Sequence, residues 1–162
     1  MSAVKAITLT INGETREVRA PANATLLETL REHGYVEVKC GCEKGDCGAC
    51  AVLLDGRLID SCLTLARLAE GRAVTTVAGL GGPDDPHPLQ AAFIEHGAIQ
   101  CGYCIPGMIV AAKALLDRNP DPSDDDIRLG LGGNLCRCTG YTRIFTAIHA
   151  AAKAMRAEEI SA

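Results

Sequence analysis

The sequence predicts an α+β protein in two parts, a strand-rich half over residues 1–80 followed by a helical half over residues 81–162. Three observations predict it. In the first part apolar residues alternate singly, with Ile7, Leu9 and Ile11 on one face and Thr8 and Thr10 on the other, which is the period of a half-buried strand. Beyond residue 87 they recur at three and four, the period of helices buried on one side. Between the two lies Gly79-Leu80-Gly81-Gly82-Pro83-Asp84-Asp85-Pro86, dense in residues that turn or break regular structure.

The elements follow in order. Residues 4–11 form the first strand, and Asn12-Gly13 suits a type I′ turn, whose two central residues need positive φ, into a second strand over 14–19. Thr25 with Glu28 three residues on has the form of a capping box, and Leu26, Leu27 and Leu30 supply the buried side of the helix it starts. Ala51 to Leu54, the turn Asp55-Gly56 and Arg57 to Ser61 make a second hairpin. A short helical connection from Leu63 to Glu70 and a strand near Ala73 to Val77 complete a half consistent with a β-grasp unit.

In the second half Pro88 opens a helix bearing Leu89, Ala92, Phe93 and His96, the last expected on an exposed edge. Pro106 opens another with Ile109, Ala112 and Leu116, stopped before Asn119-Pro120. Ser123 and Asp126 start a third, which ends between Leu129 and Gly133. The last, from about Tyr141, puts Ile144, Ile148, Ala151 and Met155 on one stripe, and the acidic tail after Ala157 is expected to fray. Four helices imply a small bundle.

Composition excludes several functions. Net charge is −4, aromatics are 3 % and there is no basic run, so nucleic acid is not an expected partner. The start, MSAVKAITLT, has neither a basic leader nor a long apolar run, which predicts a cytoplasmic protein with no membrane span. Nine cysteines cannot all pair within one chain, and their clustered spacings suit metal in a reducing compartment. With 48 % hydrophobic residues there is material for a core, yet each half of the 162 residues is small enough for bound metal to matter to its stability.

Cys42, Cys47 and Cys50 stand as C-x4-C-x2-C, and Cys62 follows beyond the hairpin, the ligand spacing of a plant-type [2Fe–2S] site. Three ligands from one loop must wrap a small cluster, and Gly41, Gly45 and Gly48 let the backbone turn that tightly. Cys47-x-x-Cys50 read alone also suits a thioredoxin-like redox pair, and four cysteines also suit structural zinc. Cysteines return as Cys101-Gly102-Tyr103-Cys104 and Cys136-Arg137-Cys138, each pair expected immediately before a helix, whose free N–H groups and dipole favour thiolate. Those four suit a second [2Fe–2S] cluster, with structural zinc as the other chemistry.

Three strings together carry a resemblance: Cys42-Glu43-Lys44-Gly45-Asp46-Cys47-Gly48-Ala49-Cys50, Gln100-Cys101-Gly102-Tyr103-Cys104-Ile105-Pro106-Gly107-Met108, and Gly133-Asn134-Leu135-Cys136-Arg137-Cys138-Thr139-Gly140-Tyr141. In their order and separation, over nearly the whole chain, they resemble the small iron–sulfur subunit of the xanthine dehydrogenase (molybdenum hydroxylase) family. The resemblance implies a plant-type ferredoxin-like β-grasp domain over 1–80 and a four-helix bundle domain over 81–162. It implies that Cys42, Cys47, Cys50 and Cys62 hold one [2Fe–2S] cluster, and that Cys101, Cys104, Cys136 and Cys138 hold another nearer molybdenum. Gln100 and Cys138 would contact the pterin.

The same resemblance implies a heterotrimer with a molybdopterin-bearing large subunit and an FAD-bearing medium subunit. This chain would carry single electrons from molybdopterin through both clusters to FAD, as the iron–sulfur subunit of an oxidoreductase with no substrate chemistry of its own. Other readings are a free-standing two-cluster ferredoxin, a structural metal-binding module, and the same subunit in an enzyme reducing an aromatic thioester. Two positions depart from the pattern. Ile105 stands where relatives often carry a hydroxyl residue, and Cys40 is an additional thiol, either inert packing or a spare redox-sensitive group.

Overall fold

The computed structural model describes residues 4–161. Five strands form one mixed sheet in the order β2-β1-β5-β3-β4, and five α-helices are present among the described residues, an α+β architecture. Strand β1 (Val4–Ile11) pairs antiparallel with β2 (Glu14–Pro21), with Ile7 opposite Val18. Asn12 and Gly13 both take positive φ at 51° and 85°, so the expected turn forms and its right-handed twist suits the strands it joins. Helix α1 (Leu26–Glu32) begins at the capping box of Thr25 and Glu28 and buries Leu26, Leu27 and Leu30. Strands β3 (Ala51–Leu54) and β4 (Arg57–Asp60) make the second hairpin, and β5 (Ala73–Thr75) lies between β1, to which it runs parallel, and β3.

Two stretches are less regular than their sequences suggest. Of Leu63 to Glu70 only Ala66–Ala69 winds into a 3-10 turn, because Ala66 donates its N–H to Ala24 and Thr25 bridges Leu65, tying the segment to the chain before α1. The last strand ends at Thr75 rather than Val77. Thr76 leaves the ladder to bind Asn12 both through its N–H, at 2.8 Å, and through its hydroxyl, at 3.0 Å, and Val77–Gly79 coils into another 3-10 turn.

The helical half contains α2 (Pro88–Glu95), α3 (Ile105–Leu116), α4 (Asp124–Gly130) and α5 (Thr142–Ser161). The Ser123–Asp126 capping box starts α4, and His96 lies exposed at the end of α2. The expected fray after Ala157 is not observed, since α5 continues to Ser161 with no glycine or proline to stop it. No helix among the described residues is long and apolar enough to cross a membrane.

Each half has its own core. Ile7, Leu9, Leu26, Leu27, Val52 and Val74 fill the first, and Phe93, Met108, Ile127, Ile144 and Ile148 fill the second. A small third cluster of Leu53, Val110 and Ala114 joins them. It explains why all four residues of β3 are buried while β1 and β2 alternate: one face of β3 covers the first core and the other receives α3. The linker is anchored as well, because Gln90 donates to the carbonyls of Val77 and Gly81 and accepts from the N–H of His87.

Candidate metal centres

Residues 39–50 have no helix or strand of their own and arch from α1 to the start of β3. Positive φ at Glu43 and Gly45 folds the arch inward, so backbone N–H groups face the Cys42 sulfur, that of Asp46 at 3.2 Å. These amides, Lys44 foremost, draw the Cys42 thiol down to about 7, as N–H groups converging on one sulfur favour its anion. Cys47 lies beside it within hydrogen-bond reach. A Cβ at Gly41 would come to 2.7 Å from the Cys47 sulfur, so the close passage of this backbone requires glycine there.

Cys50 and Cys62 flank the second hairpin and are buried against the first core. Ser61 holds them in register, its hydroxyl bonding the Cys50 carbonyl at 2.7 Å. Burial pushes the Cys62 thiol up to about 12, and the neighbouring Cys50 sulfur adds to the rise. The four sulfurs therefore meet as Cys42 with Cys47 and Cys50 with Cys62.

The helical half brings its cysteines together across the sequence pairs. The Cys101 and Cys138 sulfurs lie 3.6 Å apart on the surface, while Cys104, at the N-terminus of α3, bonds Cys136 in a half-buried position. Burial lifts Cys104 to about 12, with Cys136 as the next cause. At Cys136 burial also acts upward, but bonds from the Thr139 hydroxyl, at 3.1 Å, and from the Thr139 and Cys138 N–H groups outweigh it and lower the thiol.

One expectation about this region is corrected. Cys104 adjoins a helix, but Cys138 does not, since Thr139-Gly140-Tyr141 separates it from α5. The Thr139 hydroxyl and the Thr139 and Cys138 N–H groups donate to the Cys136 sulfur, and Tyr141, at φ +68°, accepts the Cys136 N–H on its hydroxyl at 2.8 Å, so the donors assigned to a helix end come from this turn. Gln100 is exposed, and its amide makes no hydrogen bond to the described residues. Cys40 is half-buried against the first core. Among the described residues no three His, Cys, Asp or Glu side chains gather where one ion could be held; the sulfurs converge in twos.

The two loops touch. Leu135 donates its N–H to the Cys47 carbonyl at 3.0 Å, and the buried Asn134 donates its side-chain amide to the Gly48 carbonyl at 3.0 Å. Tyr103 donates its hydroxyl to the Cys40 carbonyl. Gly48, at φ +64°, has no room for a Cβ, which would meet Asn134 at 2.4 Å, and a Cβ at Gly107 would meet the Gly48 carbonyl at 2.2 Å. Reading by cysteine spacing missed Tyr103, Asn134, Leu135, Thr139 and Tyr141. The only signal at Asn134 was a polar side chain beside the doublet Gly132-Gly133.

Two cysteine-lined loops, one on a sheet and one on helices, bring sulfurs together in pairs, and the families they match make this an iron–sulfur protein. Residues 9–76 match the family described as "2Fe-2S iron-sulfur cluster binding domain", and residues 76–149 match "[2Fe-2S] binding domain". The nicotinate dehydrogenase small FeS subunit of Eubacterium barkeri is 48 % identical over 143 residues, 88 % of this chain and 91 % of that protein. The aldehyde oxidoreductase of Megalodesulfovibrio gigas is 47 % identical over 148 residues, which are 89 % of this chain but 16 % of that protein. Among solved structures, a chain of quinoline 2-oxidoreductase from Pseudomonas putida 86 superposes with a TM-score of 0.91 at 45 % identity, over 96 % of this chain and 98 % of that one.

The chain belongs to the family of small [2Fe–2S] subunits of xanthine dehydrogenase-type molybdenum hydroxylases. Its place is that of an iron–sulfur subunit of an oxidoreductase complex.

Proposed function

We propose that this chain carries single electrons from a molybdopterin centre in a large partner subunit, through two [2Fe–2S] clusters, to FAD in a medium partner subunit. Cys42 and Cys47 would hold one iron of the first cluster and Cys50 and Cys62 the other. Cys101 with Cys138, and Cys104 with Cys136, would do the same for the second. The residues fit the group: a two-iron cluster asks each metal to take two protein sulfurs, and the sulfurs stand in twos with glycine where the backbone passes closest. Such a cluster, when bound, accepts and gives up one electron at a time.

The chain's own residues do the rest. Backbone amides and the Thr139 hydroxyl direct N–H and O–H dipoles at sulfur, and Cys50 and Cys62 are buried on the core side of the first site while Cys42 and Cys47 are half-buried. The observation that carries the reading is the bond from Leu135, next to Cys136, to the carbonyl of Cys47: the two cysteine sets are built as neighbours. Exposed Cys101 and Cys138 beside exposed Gln100 support a pterin-facing role for the second set, with Gln100 offering an amide to pterin ring donors and acceptors. We place the domain boundary at residues 80 and 81, read the helical part as a four-helix bundle, and assign the chain to the cytoplasm.

The test uses the assembled complex purified from its host. Molybdenum and flavin should accompany the chain, with about four irons and four sulfides per copy. A Cys47→Ser complex should reduce its remaining cluster on adding substrate yet fail to pass electrons to flavin. Recovery of the native chain as a stable monomer without molybdenum or flavin would instead indicate a diffusing ferredoxin. Flavin reduced at the normal rate while the second cluster stays oxidised would overturn the proposed order.

A further inference from the structure

We propose that Tyr103 is a positioning residue for electron transfer between the two clusters, through the hydrogen bond of its hydroxyl to the Cys40 carbonyl. The inference rests on the reading that both clusters are present.

Three donors from the helical half meet three main-chain carbonyls of the first cysteine loop: Tyr103 on Cys40, Leu135 on Cys47 and Asn134 on Gly48. A loop without a ladder of its own has carbonyls to satisfy, and these bonds satisfy them in one direction. Leu135 and Asn134 act at the loop's far end. Tyr103 is the donor from the helical half at its near end, two residues before Cys42, and it reaches there from between Cys101 and Cys104. Each terminus of the first loop is thereby tied to a string that carries second-cluster cysteines.

Cys40 is held from both sides. Its thiol packs against the first core while its carbonyl takes the Tyr103 hydroxyl. Tyr103 is 48 % exposed as a residue, so burial accounts for only part of what it contributes. What distinguishes it is the hydroxyl, which spans 63 residues of sequence to reach the other site.

With both clusters bound, on the cysteine sets named above, the transfer would move one electron from the second to the first, with no bond made or broken. Its rate depends steeply on the gap and on the continuity of bonded atoms across it. A first loop released at Cys40 can pivot on the Leu135 and Asn134 contacts, which changes the separation and orientation of the sulfur sets without unseating any ligand.

The test compares Tyr103→Phe and Tyr103→Leu in the purified complex. Iron content and visible spectrum of the Phe variant should equal wild type. With both clusters reduced, the magnetic splitting that each imposes on the other at low temperature should be altered in Tyr103→Phe, and reduction of the first cluster should lag the second after rapid mixing with substrate. A packing role predicts the opposite ranking, with Phe equal to Tyr and only Leu defective. Wild-type splitting and timing in Tyr103→Phe would overturn the proposal. Wild-type complex with a single cluster signal would overturn the two-cluster reading, and the inference with it.

Discussion

The backbone N–H of Leu135 donates to the carbonyl of Cys47 at 3.0 Å, so a residue adjoining one cysteine set is bonded directly to a member of the other. That contact requires α3 and the Gly133-Asn134 turn to close on the first loop with almost no side-chain volume between them.

Gly107 should test the closeness of that approach. In an exposed helix Gly→Ala stabilises by about 1 kcal/mol. Here the new Cβ would sit 2.2 Å from the Gly48 carbonyl, a backbone atom that cannot swing aside. Gly107→Ala should therefore destabilise, by about 2–3 kcal/mol on the scale of overpacked sites. Gly132→Ala, whose nearest contacts would lie at 3.4 Å, serves as control. Denaturant unfolding of the loaded protein reads both, and a more stable Gly107→Ala would show that the halves do not press together at this point.

Cys40 should be dispensable for metal. Its side chain packs on the first core, whereas Cys47 stands beside Cys42. Cys40→Ser should keep its full iron and spectrum, while Cys47→Ser should lose the first cluster and destabilise the strand-rich half, because metal binding there is also folding energy. Iron analysis with thermal unfolding decides, and iron lost from Cys40→Ser would mean the ligand assignment is wrong.

Thr139 should set the potential of the second cluster. Its hydroxyl lies 3.1 Å from the Cys136 sulfur, and hydrogen bonds to cluster sulfurs are among the levers on potential. A donor stabilises the more negative, reduced state, so Thr139→Val should lower the midpoint of that cluster and leave the first unchanged. Thr139→Ser should restore it. A redox titration followed by the two paramagnetic signals would refute this if Val and wild type coincide.

His87 should give the fold a pH dependence. It caps α2, its Nδ1 accepting the Leu89 N–H at 3.1 Å, a bond only the neutral ring can accept. Burial, helped by the charge of Lys113, holds its pKa below 6.5. The unfolded chain therefore takes up the proton first as pH falls, and the stability this group contributes, complete above its unfolded value, declines from there towards its folded value. Thermal midpoints of wild type should fall from about pH 7.5 to about pH 5.5, and His87→Asn, which keeps a capping acceptor without a titrating ring, should fall less. Equal slopes would remove His87 as the cause.

Much of the fold was legible residue by residue. The Asn12-Gly13 and Asp55-Gly56 turns, the Thr25–Glu28 and Ser123–Asp126 boxes and the alternation of Ile7, Leu9 and Ile11 all depend on neighbours within a few positions, and all form as read. Leu63 to Glu70 and the end of β5 did not, because their bonds run to Ala24, Thr25 and Asn12, far along the chain.

By itself the sequence determined the order of strands and helices, the linker and the two groups of cysteines, since periodicity, turn chemistry and ligand spacing are local properties. Tertiary structure alone decided that Cys101 meets Cys138 and Cys104 meets Cys136, that a turn rather than a helix end serves Cys136, and that Tyr103, Asn134 and Leu135 clasp the first loop. The physical reason is range. The clasp from Asn134 to Gly48 joins residues 86 positions apart, and it exists because Leu53 of β3 and Val110 of α3 share one small core that draws the two halves together.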